Sequence, residues 1–103
     1  MRDWQKFDTI LLDMDGTLLD LHFDNQVWNV LLPRRYGEKH RLDEIQARDS
    51  ISRQLGEHRG TLPWYCLDHW TTTLDIEIGA LEEELEALID VRPGALDFLK
   101  WLE

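Results

Sequence analysis

The sequence is poor in cysteine, in positive charge and in long apolar runs. Cys66 is the single cysteine, so no disulfide can form within the chain, and a reduced, cytoplasmic setting is expected. No apolar run approaches the roughly 18–20 residues that a membrane span needs, and the charged N-terminus is not typical of a signal peptide. The sequence therefore predicts no membrane partner.

Positive charge is scarce, because 11 basic residues face 21 acidic ones and the formal net charge is −10. A general nucleic-acid binder usually carries a basic face, so the sequence predicts no nucleic-acid partner. A small phosphorylated substrate stays compatible, since a bound divalent cation would reverse the local sign of the field. Acidic residues crowd one segment, where a solvated helix face is expected: Glu82, Glu83, Glu84, Glu86 and Asp90.

A short apolar segment, Phe7–Asp13, precedes the turn-forming residues Asp15 and Gly16. Its β-branched and aliphatic residues are typical of a strand buried on both faces of a parallel sheet. In such sheets, polar and catalytic groups lie just beyond the carboxyl ends of the strands. A single strand of this kind lacks partners for its backbone groups and its apolar faces. We therefore expect either that the natural chain continues past Glu103 or that a partner donates a sheet.

Most of the remaining sequence has helical periodicity. Apolar side chains recur at spacings of three and four, which predicts four helices and the beginning of a fifth. Pro33 is expected to interrupt the first of them. Four predicted helices cover residues 21–32, 42–55, 62–74 and 76–89. A fifth begins after Pro93 and Gly94, with apolar residues at positions 96, 99 and 102.

Residues 13–20, with the sequence DMDGTLLD, contain the groups that a phosphate-transfer loop needs. The carboxylate of Asp13 can attack phosphorus to form an aspartyl-phosphate, and the carboxyl group of Asp15 can protonate the leaving oxygen and later activate water. Gly16 permits a tight turn with room for a phosphate, and the hydroxyl and backbone N–H of Thr17 can fix the loop. Mg²⁺ prefers oxygen ligands and would let an anionic nucleophile approach an anionic phosphate. The predicted metal ligands are Asp13 and Asp15.

Three other interpretations of this loop compete. An ordinary turn also favours Asp and Gly. An EF-hand calcium loop is excluded, because Thr17 and Leu18 occupy its fifth and sixth positions, where an acid or Asn and then a Gly are needed. The third alternative is a degenerate, non-catalytic loop in a helical module that binds a partner.

The string ILLDMDGTLLD resembles the first motif of the haloacid dehalogenase (HAD) superfamily at every signature position. The resemblance implies that Asp13 is the nucleophile and Asp15 the acid/base. It also implies that Mg²⁺ is held by the first carboxylate and by the main-chain carbonyl of the second Asp. An acid at position 15 implies the phosphatase branch rather than the dehalogenase branch.

The same resemblance implies an α/β fold: a Rossmann-like HAD core, of which only the first strand is present, with an inserted α-helical cap of the C1 type. Residues 1–20 would begin the core and carry the catalytic loop. Residues 21–90 would form the cap, between two strands of a small flap. Residues 91–103 would return to the core.

Two longer pieces, DTILLDMDGTLLDLHFDNQVW and LPWYCLDHWTTTLDIEI, are similar to the GMP/IMP nucleotidase subgroup of these phosphatases. The similarity implies a Mg²⁺-dependent phosphomonoester hydrolase for nucleoside 5′-monophosphates, with a phosphosugar phosphatase or mutase as the alternative. The family also needs a strand-end Ser or Thr, a Lys and a later acidic pair, none of which can be located in the chain. We therefore expect an N-terminal fragment that is inactive, or nearly so, by itself. The sequence does not indicate an oligomeric state.

The remaining candidate residues have structural alternatives. Cys66 is expected to be a small buried residue. The basic cluster is expected to carry helix-end and loop charges rather than substrate contacts: Arg34, Arg35, Lys39 and Arg41. Four aromatic residues could stack on a purine, but their helical spacing favours packing within the cap: Trp28, Trp64, Tyr65 and Trp70.

Overall fold

The computed structural model describes residues 3–103, and its regular secondary structure is helical. Three short 3₁₀ segments accompany the α-helices: Trp4–Lys6, Leu62–Tyr65 and Glu86–Leu88. The α-helices are α1 His22–Gln26, α2 Leu32–His40, α3 Glu44–His58, α4 Leu67–Leu74, α5 Ile78–Glu84 and α6 Ala95–Leu102. The helical periodicity of the sequence is thus confirmed, although the helix predicted over residues 76–89 ends early and continues as a 3₁₀ turn.

Helix α1 continues into α2 through a single π-helical turn, Val27–Leu31. In this turn the N–H of Leu32 donates to the carbonyl of Val27, one residue further back than in an α-helix. Pro33 follows in the first turn of α2, where a residue without an N–H is tolerated. The predicted interruption at Pro33 is therefore wrong, because the wider π turn accommodates the proline and lets the helical backbone run on.

The hydrophobic core lies between α1, the π turn and helices α2 to α5. Trp70 of α4 is its largest fully buried side chain, with 1% of its surface exposed. Half-buried aromatic residues pack around this core, among them Phe23, Trp28 and Trp64. The buried side chains of the core are Val27, Leu31, Leu32, Ile51, Trp70, Leu74, Ile76, Ile78 and Leu81.

Local sequence features fix where these helices begin and end. Asp43 caps α3, because its side chain accepts the N–H of Gln46 at 2.8 Å while the Gln46 side chain accepts the N–H of Asp43 at 3.2 Å. Helices α2 and α4 both end at left-handed residues, Arg41 and Asp75. Lys39 joins these two ends through an ion pair of 2.9 Å to the Asp75 carboxylate.

The predicted strand Phe7–Asp13 is not found within residues 3–103. This segment has an irregular backbone, and the β-type pairing in the described part of the chain consists of isolated bridges, between Asp15 and Leu19 and between Leu19 and Val91. A strand forms its hydrogen bonds with neighbouring strands, and this segment has none beside it in residues 3–103. The α/β core therefore remains a prediction.

The two ends of the chain extend away from the helical core. The radius of gyration is 17.7 Å, whereas a compact chain of this length would have about 13 Å. Trp4 contacts Phe7 and Trp101 with ring centres 6.2 and 6.4 Å apart, so the two ends touch each other through aromatic side chains. Those side chains stay largely exposed, with Trp101 at 64%.

Cys66 lies at the junction of the Leu62–Tyr65 segment with α4 and is exposed. The prediction that it is buried is wrong, because this junction lies on the surface of the helical part. Among the helices of residues 3–103, none combines the length and the apolar character that crossing a membrane would require.

Candidate functional site

The loop of residues 13–17 is a tight turn centred on the carbonyl of Met14. That oxygen accepts the N–H groups of Thr17, Leu18 and Leu19 at 3.3, 3.0 and 2.9 Å. Gly16 has a φ of +77°, a left-handed conformation that glycine adopts without strain. The tight turn that the sequence predicted at Gly16 is therefore formed.

The loop is held by the segment that follows the helical core. The backbone N–H of Arg92 donates to the carbonyl of Leu18 at 2.8 Å, and the N–H of Asp20 donates to the carbonyl of Asp90 at 2.9 Å. The guanidinium of Arg92 also donates to the carbonyl of Gly16. Residues 18–20 and 90–92 thus lie antiparallel, one on each side of the helical stretch.

Arg92 is a loop-positioning residue that the sequence reasoning missed. The signal available was its place before Pro93 and Gly94, where the chain returns from the helices. That signal was too weak to assign a role, because the contact with Gly16 joins residues that are 76 positions apart in sequence.

The four predicted site residues share the loop but differ in surroundings. Asp13 and Asp15 are both exposed, and only Asp15 lines the cavity described below. The N–H of Thr17 is engaged with Met14, so in this structure it serves the turn. The structure therefore keeps all four residues in one loop and directs Asp15 towards the helical core.

Asp15 opens onto a cavity of about 470 Å³ between the loop and the helices. Side chains from α1, the π turn, α3, α4 and α5 contribute to its walls, and three tryptophans are among them. The lining residues beyond the loop are Asp24, Trp28, Asn29, Leu55, Trp64, Tyr65, Leu67, Trp70 and Glu82. A volume of this size suits a small-molecule ligand, for which pockets of about 300–1,000 Å³ are common.

The aromatic residues of this cavity differ in how deeply they are buried. Trp70 is buried in the core and donates from its indole N–H to the carbonyl of Trp64 at 3.0 Å, as packing within the helical part predicts. Trp28 and Trp64 are only partly buried, and Tyr65 is exposed. Trp28, Trp64 and Tyr65 thus keep accessible surface at the cavity.

Two acidic side chains in the cavity have pKa values raised above their ordinary values. Burial raises the pKa of Asp24, and the negative charge of Asp15 raises it further. Burial likewise raises the pKa of Glu82, with a second contribution from Asp24. The sequence reasoning placed Glu82 on a solvated helix face, but this residue is half-buried, whereas its neighbour Glu83 is exposed as predicted.

The basic cluster is engaged mainly in contacts within the protein. Arg35 pairs with Glu84 at 2.7 Å, and Lys39 pairs with Asp75 at 2.9 Å. Neither cation lines the cavity next to the loop. The expectation that these charges serve helix ends and loops rather than the candidate site is therefore supported for Arg35 and Lys39.

Carboxylate oxygens at Asp13 and Asp15 are the donors that Mg²⁺ prefers. Within residues 3–103, however, no group of three or more acidic, His or Cys side chains is arranged to hold a metal ion. The loop therefore fits part of a magnesium site, and the described residues do not complete it.

Comparison with known proteins gives two curated relatives. The chain is 41% identical over 100 residues to the GMP/IMP nucleotidase YrfG of Escherichia coli (strain K12), and equally to that of Shigella flexneri. It resembles a GMP/IMP nucleotidase. The alignment covers 97% of this chain but 45% of each relative, so the chain spans about half the length of the curated relatives it matches. The resemblance inferred from residues 13–20 and from the two longer pieces is therefore confirmed.

Two further comparisons gave no match. No family model matches the chain, and no solved structure matches it.

Proposed function

We propose that this chain carries the nucleophile loop and the substrate-covering helices of a HAD-type phosphatase that hydrolyses purine nucleoside 5′-monophosphates. The observation that carries the proposal is the position of the Asp13–Thr17 loop, whose Asp15 opens onto an aromatic cavity of nucleotide-compatible size. The identity to relatives named GMP/IMP nucleotidase supports the substrate class.

In the first chemical step, a carboxylate oxygen of Asp13 attacks the phosphorus atom. The bond from phosphorus to the ester oxygen of the nucleoside breaks, and Asp15 donates a proton to that oxygen, so the nucleoside leaves as a neutral alcohol. The product on the protein is an aspartyl-phosphate at Asp13.

In the second step, water attacks the same phosphorus atom while Asp15, now a carboxylate, takes a proton from it. The bond between phosphorus and Asp13 breaks, which releases inorganic phosphate and restores both aspartates to their starting forms. The exposure of Asp13 and Asp15 leaves room for the substrate and for water at the loop.

The turn geometry prepares the loop for this chemistry. Gly16 has no side chain to obstruct a phosphate, and its carbonyl is held by Arg92. Because three N–H groups converge on the carbonyl of Met14, residues 14–19 form a hydrogen-bonded turn that carries Asp15 and Thr17. A preorganised loop of this kind loses little entropy when substrate binds.

A magnesium ion would neutralise charge between the Asp13 carboxylate and the phosphate. Asp13 and the main chain at Asp15 are the residues of this chain that would hold it. Since the described residues supply only part of the ligand set, we propose that residues 1–103 by themselves have little or no activity.

The organisation that accompanies this proposal divides the chain in three. Residues 1–20 and 91–103 would belong to an α/β core, and residues 21–90 would form a helical cap over the active site. The antiparallel pairing of residues 18–20 with residues 90–92 supports this division, because it closes the helical stretch at its base.

The substitution Asp13→Asn in the full-length protein tests the assignment of the nucleophile. We expect release of phosphate from GMP to fall by at least about a thousandfold, because an amide cannot form the covalent intermediate. Circular dichroism should show an unchanged helical content, since Asp13 is exposed and lies outside the helices. The matched control is Asp49→Asn, an exposed aspartate on α3, for which full activity is expected. Activity that survives Asp13→Asn would show that another group is the nucleophile.

A further inference from the structure

Three acidic residues from distant parts of the sequence line the same cavity. Asp15 comes from the loop, Asp24 from α1 and Glu82 from α5. The three carboxylates are electrostatically coupled in pairs. The charge of Asp15 raises the pKa of Asp24, and the charge of Asp24 raises the pKa of Glu82. Asp15 is not among the causes that raise the pKa of Glu82. Asp15, Asp24 and Glu82 thus share one cavity, and Asp24 is electrostatically coupled to each of the other two.

The Glu82 carboxylate has no hydrogen-bond or ion-pair partner among the side chains of residues 3–103. Arg35 and Lys39 are engaged with other acidic residues, since Arg35 pairs with Glu84 and Lys39 pairs with Asp75. Holding a half-buried carboxylate beside Asp24 without a donor is unfavourable. A ligand that presents N–H groups would relieve this cost.

The walls around Glu82 are suited to a flat heteroaromatic ring. Trp28 and Trp64 are half-buried at the cavity, and the side-chain amide of Asn29 adds both a donor and an acceptor. The guanidinium of Arg59 lies 5.8 Å from the centre of the Trp64 ring, within the range of a cation–π contact. Stacking between aromatic side chains, combined with hydrogen bonds to the Watson–Crick edge, is a known arrangement for recognition of a nucleobase.

We propose that Glu82 recognises the N1–H edge of a 6-oxopurine base, with the ring packed against Trp28 and Trp64. This inference rests on the proposed function, since it places the phosphate at Asp13 and Asp15 and the base against Glu82 in the cavity that Asp15 also lines. An ionised carboxylate only accepts hydrogen bonds. Guanine offers it both N1–H and the 2-amino group, and hypoxanthine offers N1–H. Adenine presents a bare N1 lone pair, which the carboxylate repels.

The substitution Glu82→Gln in the full-length protein tests this inference. A glutamine amide can donate to N1 of adenine, so the change should lower kcat/KM for GMP and for IMP relative to AMP. We expect the ratio of kcat/KM for GMP over AMP to fall by at least about tenfold, the range expected when a polar recognition contact is lost. The matched control is Glu83→Gln, the exposed neighbour in the same helix, for which the ratio should not change.

Asp24→Asn separates base recognition from a general effect of charge in the cavity. Because Asp24 lines the same cavity but is assigned no contact with the base, its loss should change the rates for GMP and AMP by similar factors. A fall in the GMP-to-AMP ratio for Glu82→Gln alone supports the inference. Equal losses for both nucleotides with Glu82→Gln, or a wild-type protein that prefers AMP, would overturn it while leaving the phosphatase assignment intact.

A binding measurement distinguishes failure of base recognition by Glu82 from failure of the proposed phosphatase function. If the wild-type protein released no phosphate from any nucleotide, the proposed function would fall. Quenching of tryptophan fluorescence by GMP and by AMP would then still test the cavity, since Trp28 and Trp64 line it. Stronger quenching by GMP that Glu82→Gln abolishes would support base recognition, and equal quenching by both nucleotides would overturn it.

Discussion

The helical part, residues 22–88, and the two arms, residues 3–20 and 89–103, use apolar side chains in opposite ways. In the helical part, large side chains such as Trp70, Leu32 and Ile78 are almost completely buried. In the arms, comparably apolar side chains face outward, and Leu11 is 91% exposed. The large apolar residues exposed on the arms are Trp4, Phe7, Ile10, Leu11, Leu12, Met14, Ile89, Val91, Leu96, Phe98 and Trp101.

For residues 7–13, the difference follows from where the backbone finds its hydrogen-bond partners. A helix pairs its N–H and C=O groups within one segment, so residues 22–88 can assemble a core from their own sequence. A strand pairs only with other strands, and residues 7–13 have none beside them in the described part of the chain. Backbone partners alone do not ensure burial, however, because α6 is a helix and its Leu96, Phe98 and Trp101 are still exposed. An apolar segment is buried only where its backbone has partners and another element packs against its side chains.

The largest expected effect on stability is the difference between truncating a buried side chain of the helical part and truncating an exposed side chain of an arm. Trp70→Ala should lower the free energy of unfolding by about 3–5 kcal/mol, because it opens a cavity in the core. Leu11→Ala should change it by less than about 0.5 kcal/mol, since the side chain is exposed. Urea denaturation followed by far-ultraviolet circular dichroism measures both. Equal effects would show that the two regions do not differ as described.

A smaller effect on stability tests how tightly α2 and α3 pack against each other in the helical part. Gly56→Ala in α3 should stabilise the chain by about 1 kcal/mol, because alanine favours helix and a methyl group there meets nothing within 4 Å. Gly37→Ala in α2 should instead destabilise it by about 1 kcal/mol, because the added Cβ would lie 3.0 Å from the carbonyl of Leu42 and 3.3 Å from Ala47. Thermal melts of the two variants distinguish these outcomes, and a stabilised Gly37→Ala would show that α2 and α3 are not in tight contact.

The smallest expected effect is the pH dependence at the boundary between arm and helices. The pKa values of Asp24 and Glu82 are raised above the ordinary 3.8 and 4.5, so each carboxylate binds a proton more readily in the folded state than in the unfolded chain. Their contribution to stability is fully present below those ordinary values and is lost as pH rises through the raised ones. The double variant Asp24→Asn, Glu82→Gln should therefore lose less Tm than the wild type between about pH 4 and pH 7.

Asp75→Asn provides the control of opposite sign for this pH series. Lys39 holds the pKa of Asp75 below its ordinary 3.8, so the stability contributed by this carboxylate is present above that value and lost as pH falls through the lowered pKa. Removing it should lower Tm at pH 7 and have little effect in strong acid. Parallel Tm curves for the wild type and the double variant would mean that the cavity does not perturb its carboxylates.

The helices and the loop were largely predictable, because both depend on local chemistry. Spacings of three and four predicted the helical segments, and an Asp-Gly pair after an apolar run predicted the turn at Gly16. Two features were predicted wrongly: the helix continues past Pro33, and Cys66 is exposed. Each depends on how the local backbone joins the rest of the fold. Whether Asp13, Asp15, Gly16 and Thr17 act as proposed stays a prediction.

The sequence by itself determined the positions of most helices, the tight turn at Gly16 and the resemblance to a nucleotidase, because short-range spacing and residue identity carry these properties. Only the tertiary structure decided that Arg92 holds Gly16 and that Glu82 shares a cavity with Asp15. The reason is physical: these contacts join residues more than 60 positions apart, and no local pattern encodes which distant side chains the packing of α1, α4 and α5 brings together.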